Sequence, residues 1–346
     1  MKLGRIVLNS QLILAPMQNV STSPYRRFCR KVSESVGLVI VPMLYTKRLE
    51  KNPSSVELDL YKLKDERPIG VQLIGTSMEA LRNSIDFLES YEFDVVDLNA
   101  GCPSKRAIKA KEGGYLMYDL DSLDKLIQTA IKFSSRPVSL KIRTGFEKVV
   151  DIDKLVSIIE NSGLEFLTIH GRTVKDRFND TKIDLDTIRT IKSKLSIPIV
   201  GNGDLIDHKS AKKFLEQTNV DSLMIGRGSI GNPEIFNQID KFLKTGTEIL
   251  IENDILKWQN LVRLYEDCIE EFLDESNPIK YEKDIFKFTE LYRNSIWLTK
   301  NIKDSSNIRR KISKAKQLEQ LKHIFREIFQ IYSSESASEP AKSNRI

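Results

Sequence analysis

The sequence predicts a (β/α)8 TIM barrel followed by a small all-helical bundle. Eight short apolar runs rich in β-forming residues recur along the first two thirds of the chain, with helical stretches between them. Nearly every run ends in small, polar or charged residues. From about residue 250 the apolar residues instead recur every three or four positions, which is the period of amphipathic helices.

The eight runs have the length and spacing of successive β/α units rather than of hairpins. They span residues 12–17, 38–43, 68–75, 93–101, 137–145, 164–172, 197–204 and 222–229. Because the runs are almost continuously apolar, we expect each strand to be buried on both faces, as in a parallel sheet covered by helices. Ser77 and Asp207 are predicted N-caps of two covering helices. An open doubly wound sheet is the alternative, and the polar residues after nearly every run favour the barrel.

The helical part contains three predicted helices. One apolar stripe runs from Ile255 to Phe272, a second helix is expected over residues 282–300, and a third carries apolar residues from Ile308 to Ile328. We therefore predict a barrel domain over residues 1–245 and a helical domain over residues 246–332. Residues 333–346 have too few apolar side chains to bury and are predicted to be a disordered tail.

Composition excludes several classes of protein. The chain has 346 residues, 40% of them hydrophobic and 29% charged, and it has no apolar run long enough to cross a bilayer. Residues 1–17 do not have the pattern of a secretory leader, so we do not expect secretion. Its three cysteines lie far apart, which argues against structural zinc and disulfides and indicates a reducing cytoplasm. We expect a monomer. Residues 291–330 hold ten basic and three acidic residues, a local charge of +7 that exceeds the net +6 of the whole chain.

Polar residues at the ends of the predicted strands indicate an active site, because the carboxyl ends of parallel barrel strands meet at one mouth. The candidates are Gln72, Asn99, Cys102, Lys141, Arg143, His170, Arg172, Asn202, Asp204 and Arg227. Lys141 is either a rim charge or a cation held against an anionic ligand. Cys102, in a turn with basic residues downstream, favours a proton-transferring thiol over a small core residue.

Two glycine-rich segments follow the last two predicted strands. Residues 201–204 read Gly-Asn-Gly-Asp and residues 226–228 read Gly-Arg-Gly, at the place where barrels commonly bind phosphate. Together they favour a phosphate cup over two unrelated tight turns. A match to the dinucleotide pattern GxGxxG at Gly226 is weak, because it closes the series of strands instead of opening a βαβ unit.

Taken together, the motifs resemble the tRNA-dihydrouridine synthase family. They are APM in the first strand, VQLIG in the third, DLNAGCP after the fourth, KIRTG in the fifth, IHGRT in the sixth, GNGD in the seventh and GRG in the eighth. The resemblance covers residues 12 to about 235 in order and continues weakly into the helices. The NxGCP segment is its most specific element, whereas GNGD and GRG occur in many barrels that bind FMN or phosphate.

The resemblance implies an enzyme that reduces the C5–C6 double bond of tRNA uridines with FMN and NADPH, after the base is flipped into the barrel mouth. Cys102 would be the proton donor. The implied FMN-binding residues are Ala15, Pro16, Met17, Gln72, Lys141, His170, Asn202, Gly203, Asp204, Gly226 and Arg227. The implied tRNA contacts are Asn99, Lys105, Arg106, Arg143 and Arg172, and the basic helical domain would bind tRNA phosphates. No metal is implied.

Tyr115 and Met117 depart from the family pattern, because smaller residues are usual there. Two other functions stay open from the residues. One is another FMN-dependent barrel reductase, of the dihydroorotate dehydrogenase or ene-reductase type. The other is a non-catalytic tRNA-binding barrel. The basic helical domain disfavours the first, and the intact set of Cys102, Lys141 and His170 disfavours the second.

Overall fold

Eight parallel strands close into a barrel in the computed structural model, which describes residues 1–177, 183–249, 254–276, 283–300 and 302–338. A two-stranded hairpin precedes the barrel. The strands are β1 Lys2–Leu3, β2 Ile6–Val7, β3 Leu12–Leu14, β4 Leu38–Tyr45, β5 Ile69–Ile74, β6 Val95–Ala100, β7 Val138–Arg143, β8 Phe166–His170, β9 Ile199–Asn202 and β10 Ser222–Ile225. Each strand from β3 to β10 falls on one of the eight predicted runs, and only β4 extends beyond its run, by the two residues Leu44 and Tyr45.

The barrel closes where the last strand pairs with the first. β10 pairs in parallel with both β9 and β3, and Leu223 lies opposite Leu12 in the latter pair. This closure confirms the predicted barrel and excludes the open doubly wound sheet. The strands are buried almost throughout, as their continuous apolar character predicts.

Helices cover the outside of the barrel and begin with side-chain caps where the sequence predicts them. Ser77 accepts a hydrogen bond from the N–H of Ala80, and Asp207 accepts one from the N–H of Ser210. The helices of this unit are α1 Ser23–Val32, α2 Thr46–Lys51, α3 Glu57–Leu60, α4 Met78–Leu88, α5 Lys105–Lys109, α6 Leu120–Phe133, α7 Ile152–Glu160, α8 Leu185–Lys194, α9 His208–Thr218 and α10 Ile235–Thr245.

The N-terminal hairpin packs against the barrel interior. Leu3, Ile6 and Leu8 are buried in one cluster with Phe166 and Met224. The Arg5 guanidinium pairs with the Glu165 carboxylate at 3.0 Å beside the hairpin turn. The hairpin therefore buries its apolar side chains in the barrel core, away from the strand ends where the polar residues lie.

The chain divides into two compact units. The first contains residues 1–229 and 233–249, and the second contains residues 230–232 and those from 250 onward. The helices of the second unit are α11 Ile255–Ser276, α12 Lys283–Leu298, α13 Ser305–Ile312 and α14 Leu318–Ser338. Its core is built around Trp258, whose indole N–H donates to the carbonyl of Ser295 at 3.0 Å and whose ring meets that of Phe325 edge-on at 5.8 Å.

Two predictions about the second unit are wrong. The third predicted helix is two helices, because the chain turns between Ile312 and Leu318 and the side chain of Gln320 accepts the N–H of Lys316. Apolar residues keep helical spacing across this turn, so periodicity alone does not reveal it. In addition, α14 continues to Ser338, so residues 333–338 are helical. Glu335 and Ala337 are good helix formers, and no proline occurs between Leu318 and Pro340. Residue 282 of the second predicted helix and residues 339–346 of the predicted tail lie outside the described residues.

Within the described ranges, none of the helices combines the length and the apolar character that a membrane span requires.

Candidate active site

A chain of hydrogen bonds between buried polar side chains crosses three neighbouring strands of the barrel. The Ser139 hydroxyl and the Gln72 amide NH2 donate to the two carboxylate oxygens of Asp97, each at 2.7 Å. The Asn99 amide NH2 then donates to Gln72 Oε1 at 2.8 Å. Burial raises the pKa of Asp97, opposed by its bonds from Gln72 and Ser139. Because each amide has one donating and one accepting end, the carboxylate fixes the orientation of both amides.

The far end of this chain holds the loop that carries Cys102. Asn99 Oδ1 accepts the backbone N–H groups of Gly101 at 3.1 Å and of Cys102 at 2.9 Å. The carbonyl of Cys102 accepts the N–H of Gly114 at 3.0 Å. A Cβ on Gly114 would lie 2.8 Å from that carbonyl oxygen, so only glycine fits this close approach. The Cys102 side chain is thus a partly exposed thiol on a backbone fixed from both sides.

Lys141 and Asn202 meet inside the barrel. The ammonium of Lys141 donates to Asn202 Oδ1 at 2.9 Å, and the Asn202 amide NH2 donates to the carbonyl of Met224 at 2.7 Å. Burial lowers the pKa of Lys141 to about 8, with a further contribution from the Arg143 guanidinium and an opposing one from Asp97. Lys141 is therefore a cation whose charge an anionic ligand would strongly favour.

His170 lies among four cations. It is 8% exposed, and its Nδ1 has no hydrogen-bond partner within the part of the chain that the structure describes. Burial lowers its pKa far below the usual range, and the positive charges of Lys141, Arg143, Arg172 and Arg227 lower it further. The imidazole is therefore neutral and offers a buried ring nitrogen to a ligand.

Asp204 is the carboxylate that partly balances this cluster. Arg172 donates to it through both terminal nitrogens, one at 2.9 Å, and Arg227 donates to the same carboxylate at 3.2 Å. The bond from Arg172 is the largest cause that lowers the pKa of Asp204. Asp204 thus faces two guanidinium groups, while Asp97 acts on Lys141 and Asp176 on Arg143. The four cations therefore exceed these three carboxylates by one positive charge.

The predicted phosphate cup is formed by backbone that approaches closely. Gly203 has a φ of +129°, in the region that favours glycine. A Cβ on Gly228 would lie 2.1 Å from the carbonyl oxygen of Leu205, so this position also requires glycine. At Gly226, in contrast, a Cβ would make only ordinary contacts, 3.6 Å from Ala15 and 3.7 Å from Met17. The segment 15–17, with the partly exposed Pro16 at its centre, therefore lines the same end of the barrel as Gly226.

Arg143 ties together the loops that surround this cavity. Its guanidinium donates to the carbonyl of Gly101 at 3.0 Å, of Thr173 at 2.8 Å and of Arg177 at 2.6 Å. Burial, and then the charge of Arg172, lowers its pKa to about 10. Arg143 and Arg172 are both 3% exposed and engaged with protein atoms, so their assignment as tRNA contacts stays a prediction.

Lys105 and Arg106 are not part of this buried cluster. Both lie exposed on the short helix α5, next to the loop of Cys102, and the Arg106 guanidinium lies over the ring of Tyr45 at 4.2 Å from its centroid. They belong to the surface around the mouth.

Asp97 and Ser139 are functional candidates that sequence reasoning missed. Each is a polar residue in the middle of a strand that is otherwise apolar, Val95–Ala100 and Val138–Arg143. A buried polar residue needs a partner, and this signal was available in the sequence. No cluster of potential metal ligands occurs within the described ranges.

Comparisons with known proteins agree with this geometry. A family profile described as "Dihydrouridine synthase (Dus)" matches residues 13–332. The chain is 32% identical over 249 residues to a "Probable tRNA-dihydrouridine synthase" of Rickettsia bellii, covering 71% of this chain and 76% of that protein. It is 32% identical over 251 residues to the "tRNA-dihydrouridine synthase B" of Pasteurella multocida, covering 72% and 75%.

Among solved structures, morphinone reductase matches with a TM-score of 0.51 at 13% identity, covering 74% of this chain and 91% of that one. A histamine dehydrogenase from Rhizobium sp. 4-9 matches with a TM-score of 0.53 at 12% identity, covering 78% and 50%. At such low identity these two likenesses show the barrel fold alone. The profile match over most of the chain and the relatives above 30% identity show more: the chain belongs to the dihydrouridine synthase family.

Proposed function

We propose that the protein is a tRNA-dihydrouridine synthase of the cytoplasm that uses FMN and NADPH, with Cys102 as the proton donor. The observation that carries the proposal is the hydrogen-bonded chain from Asp97 through Gln72 and Asn99 to the Cys102 backbone. It fixes a partly exposed thiol at the rim of a cavity with an excess of positive charge. A barrel that only binds RNA has no need of this arrangement.

The cavity suits a phosphorylated flavin. Four cations act on His170, against three carboxylates beside them, Asp204, Asp97 and Asp176. The buried Nδ1 of His170 has no partner in the described residues. Anions stabilise such clusters, because burying like charges together without a counter-charge is unfavourable. Gly203, Gly226, Asp204 and Arg227 would hold the phosphate end, and Lys141 and Gln72 would face the ring. Gln72 has one amide hydrogen and one lone pair left for this role.

The chemistry divides between cofactor and protein. A bound FMN, reduced by NADPH, would supply a hydride to C6 of the uracil. The Cys102 thiol gives its proton to C5 and is then reprotonated from solvent, so the base gains two hydrogens in all. Asn99 positions the thiol by holding the N–H groups of residues 101 and 102, and Arg143 keeps the surrounding loops in place.

The second unit supplies a surface for RNA phosphates. Arg309, Arg310, Lys314 and Lys316 are exposed and Lys311 is partly exposed, all within eight residues of α13 and the turn after it. In the described part of the chain no acidic side chain forms an ion pair with any of these five. An unbalanced basic surface of this kind binds nucleic acid backbones and makes binding dependent on salt.

The test is mass spectrometry of nucleosides from unmodified tRNA incubated with FMN-loaded protein and NADPH. Wild type is expected to produce a uridine heavier by about 2 Da, the mass of the two added hydrogens. Cys102→Ala should lose nearly all product, and Cys102→Ser should lose most of it, because a hydroxyl is a far weaker acid than a thiol.

Flavin content and tRNA affinity are the controls, and both should match wild type in the two Cys102 variants. If several tRNAs yield no dihydrouridine although the flavin is bound and reducible, the proposal fails, and reduction of a small free substrate explains the site better. If Cys102→Ala retains full activity, another group is the acid.

A further inference from the structure

Three aromatic rings form a cluster at the carboxyl-terminal rim of the barrel. The centroids of Tyr115 and Tyr118 are 5.7 Å apart, and that of Phe146 lies 6.0 Å from Tyr115 and 5.9 Å from Tyr118. We call these residues the aromatic rim. The rings meet at 54°, 75° and 59°, so none of the three pairs is stacked face to face. Tyr118 is 70% exposed, and the other two are partly exposed.

The aromatic rim is built on the loop that carries Cys102. Tyr115 directly follows Gly114, whose N–H donates to the Cys102 carbonyl at 3.0 Å. The neighbouring Gly113 is equally close, since a Cβ there would lie 3.0 Å from the Cβ of Cys102. The aromatic rim and the thiol are therefore held in a fixed relation by backbone contacts.

The third ring joins this loop to two others at the same mouth. Phe146 follows β7, the strand of Lys141 and Arg143, and its carbonyl accepts the N–H of Lys175, which lies in the loop after His170. The loops that follow three successive strands thus meet under the aromatic rim.

The segment between Cys102 and the aromatic rim is basic. The acidic sequence neighbours of the rings are Asp119, next to Tyr118, and Glu147, which follows Phe146 and pairs with Lys175 at 3.3 Å. Lys105, Arg106, Lys109 and Lys111 are all exposed on the segment between Cys102 and Tyr115, whereas the acidic residue in that segment, Glu112, is buried. Exposed aromatic faces next to exposed cations match the chemistry of single-stranded nucleic acid, in which bases stack and phosphates pair with charge. A protein partner with an apolar surface would have no use for these four cations.

We propose that the aromatic rim, through the exposed ring of Tyr118, stacks on an unpaired base of the RNA next to the uridine that enters the barrel. This inference rests on the proposed function. Extruding a base removes stacking from its neighbours in the RNA, and an aromatic face beside the entrance replaces part of it. Because stacking requires only a π face, the contact is tolerant of base identity.

The experiment measures binding of unmodified tRNA and of a short oligouridine by FMN-loaded wild type, Tyr118→Ala and Tyr118→Phe over a range of salt concentrations. Tyr118→Ala should weaken tRNA binding about five- to 140-fold, the range of one lost stacking contact. The slope of log affinity against log salt should stay unchanged, because no cation is removed. Tyr118→Phe keeps the ring and should stay within about twofold of wild type.

Tyr91→Ala is the matched control. Tyr91 is also a partly exposed tyrosine in an aromatic cluster, 5.2 Å from Phe87, but it precedes β6 and lies at the opposite end of the barrel. Its removal should leave RNA binding unchanged. The melting temperature of each variant shows whether the fold is intact.

The inference is overturned if Tyr118→Ala binds tRNA as Tyr91→Ala does, or if Tyr118→Phe loses as much affinity as Tyr118→Ala, which would indicate a hydroxyl contact. If wild type makes no dihydrouridine yet oligouridine binding still depends on the Tyr118 ring, the synthase proposal fails while the stacking surface stands. If wild type binds neither RNA, both fail.

Discussion

The protonation of His170 is the electrostatic feature of the site that can be measured most directly. Burial and the four surrounding cations lower its pKa far below the ordinary value of about 6.5. The unfolded chain therefore binds a proton at this residue below pH 6.5, and the folded protein does not. The contribution of neutral His170 to the free energy of unfolding is therefore fully present above pH 6.5 and is lost progressively as the pH falls below it.

The size of the effect follows from linkage. With an unfolded pKa of about 6.5 and a folded pKa of about 2, lowering the pH from 8 to 5 removes about 2 kcal/mol of unfolding free energy. His170→Gln keeps a polar, neutral side chain that does not titrate in this range. The stability difference between pH 8 and pH 5 should therefore be about 2 kcal/mol smaller in His170→Gln than in wild type.

Two assays test this prediction in flavin-free protein, because an anion bound beside the cations would raise the pKa. Urea denaturation followed by circular dichroism at both pH values gives the stability difference. Histidine-selective isotope labelling gives the protonation state, because the chain has three histidines and the His170 resonance is assigned by its disappearance in His170→Gln. A His170 resonance that titrates between pH 5 and 8 would refute the reasoning, as would an unchanged pH dependence of stability in the variant.

Three further predictions follow from the same cavity and from the basic helices. Lys141→Met should reduce flavin affinity at least about tenfold. The affinity of wild type for flavin should weaken as the pH rises through about 8, whereas the affinity of Lys141→Met should not. Equilibrium dialysis of FMN measures both affinities. Asp97→Ala should lower the unfolding free energy by about 3 kcal/mol or more, because it leaves the buried Gln72 and Ser139 donors without an acceptor. A loss below about 1 kcal/mol in urea denaturation would contradict this prediction. Replacing residues 309–311 by glutamine should reduce the slope of log tRNA affinity against log salt by about 2 and leave turnover at saturating tRNA unchanged.

The barrel could be predicted from the sequence because its signals are local. Each strand is a short apolar run between polar ends, and parallel connection brings those ends to one mouth. The sequence therefore predicts that Lys141, His170 and Asn202 lie close together. The turn at residues 313–317 could not be predicted, because apolar residues recur at helical spacing on both sides of it. The N-terminal hairpin was missed for a related reason, since two-residue strands carry no periodicity.

The partners of the site residues depend on register across strands, which the sequence does not encode locally. Gln72 lies opposite Asp97 in the pairing of β5 with β6, and Asp97 lies opposite Ser139 in the pairing of β6 with β7. Because of these pairings, the Asp97 carboxylate lies beside the Gln72 amide and orients it. In the same way, the pairing of Asp204 with Arg172 joins two loops that are 32 residues apart.

The excess of positive charge in the barrel mouth links stability to function. Lys141, Arg143, Arg172 and Arg227 all act on His170, and Asp204 pairs with two of the four. Repulsion within this cluster opposes folding of the barrel when no anion is bound. A ligand that brings negative charge binds the folded state and stabilises it. The stabilisation grows with the logarithm of the ratio of ligand concentration to Kd. The depressed pKa values of Lys141 and His170 are therefore signs of a site preorganised for an anion. We propose a flavin phosphate as that anion, with the aromatic rim and the basic residues 309–316 as the surfaces that contact RNA.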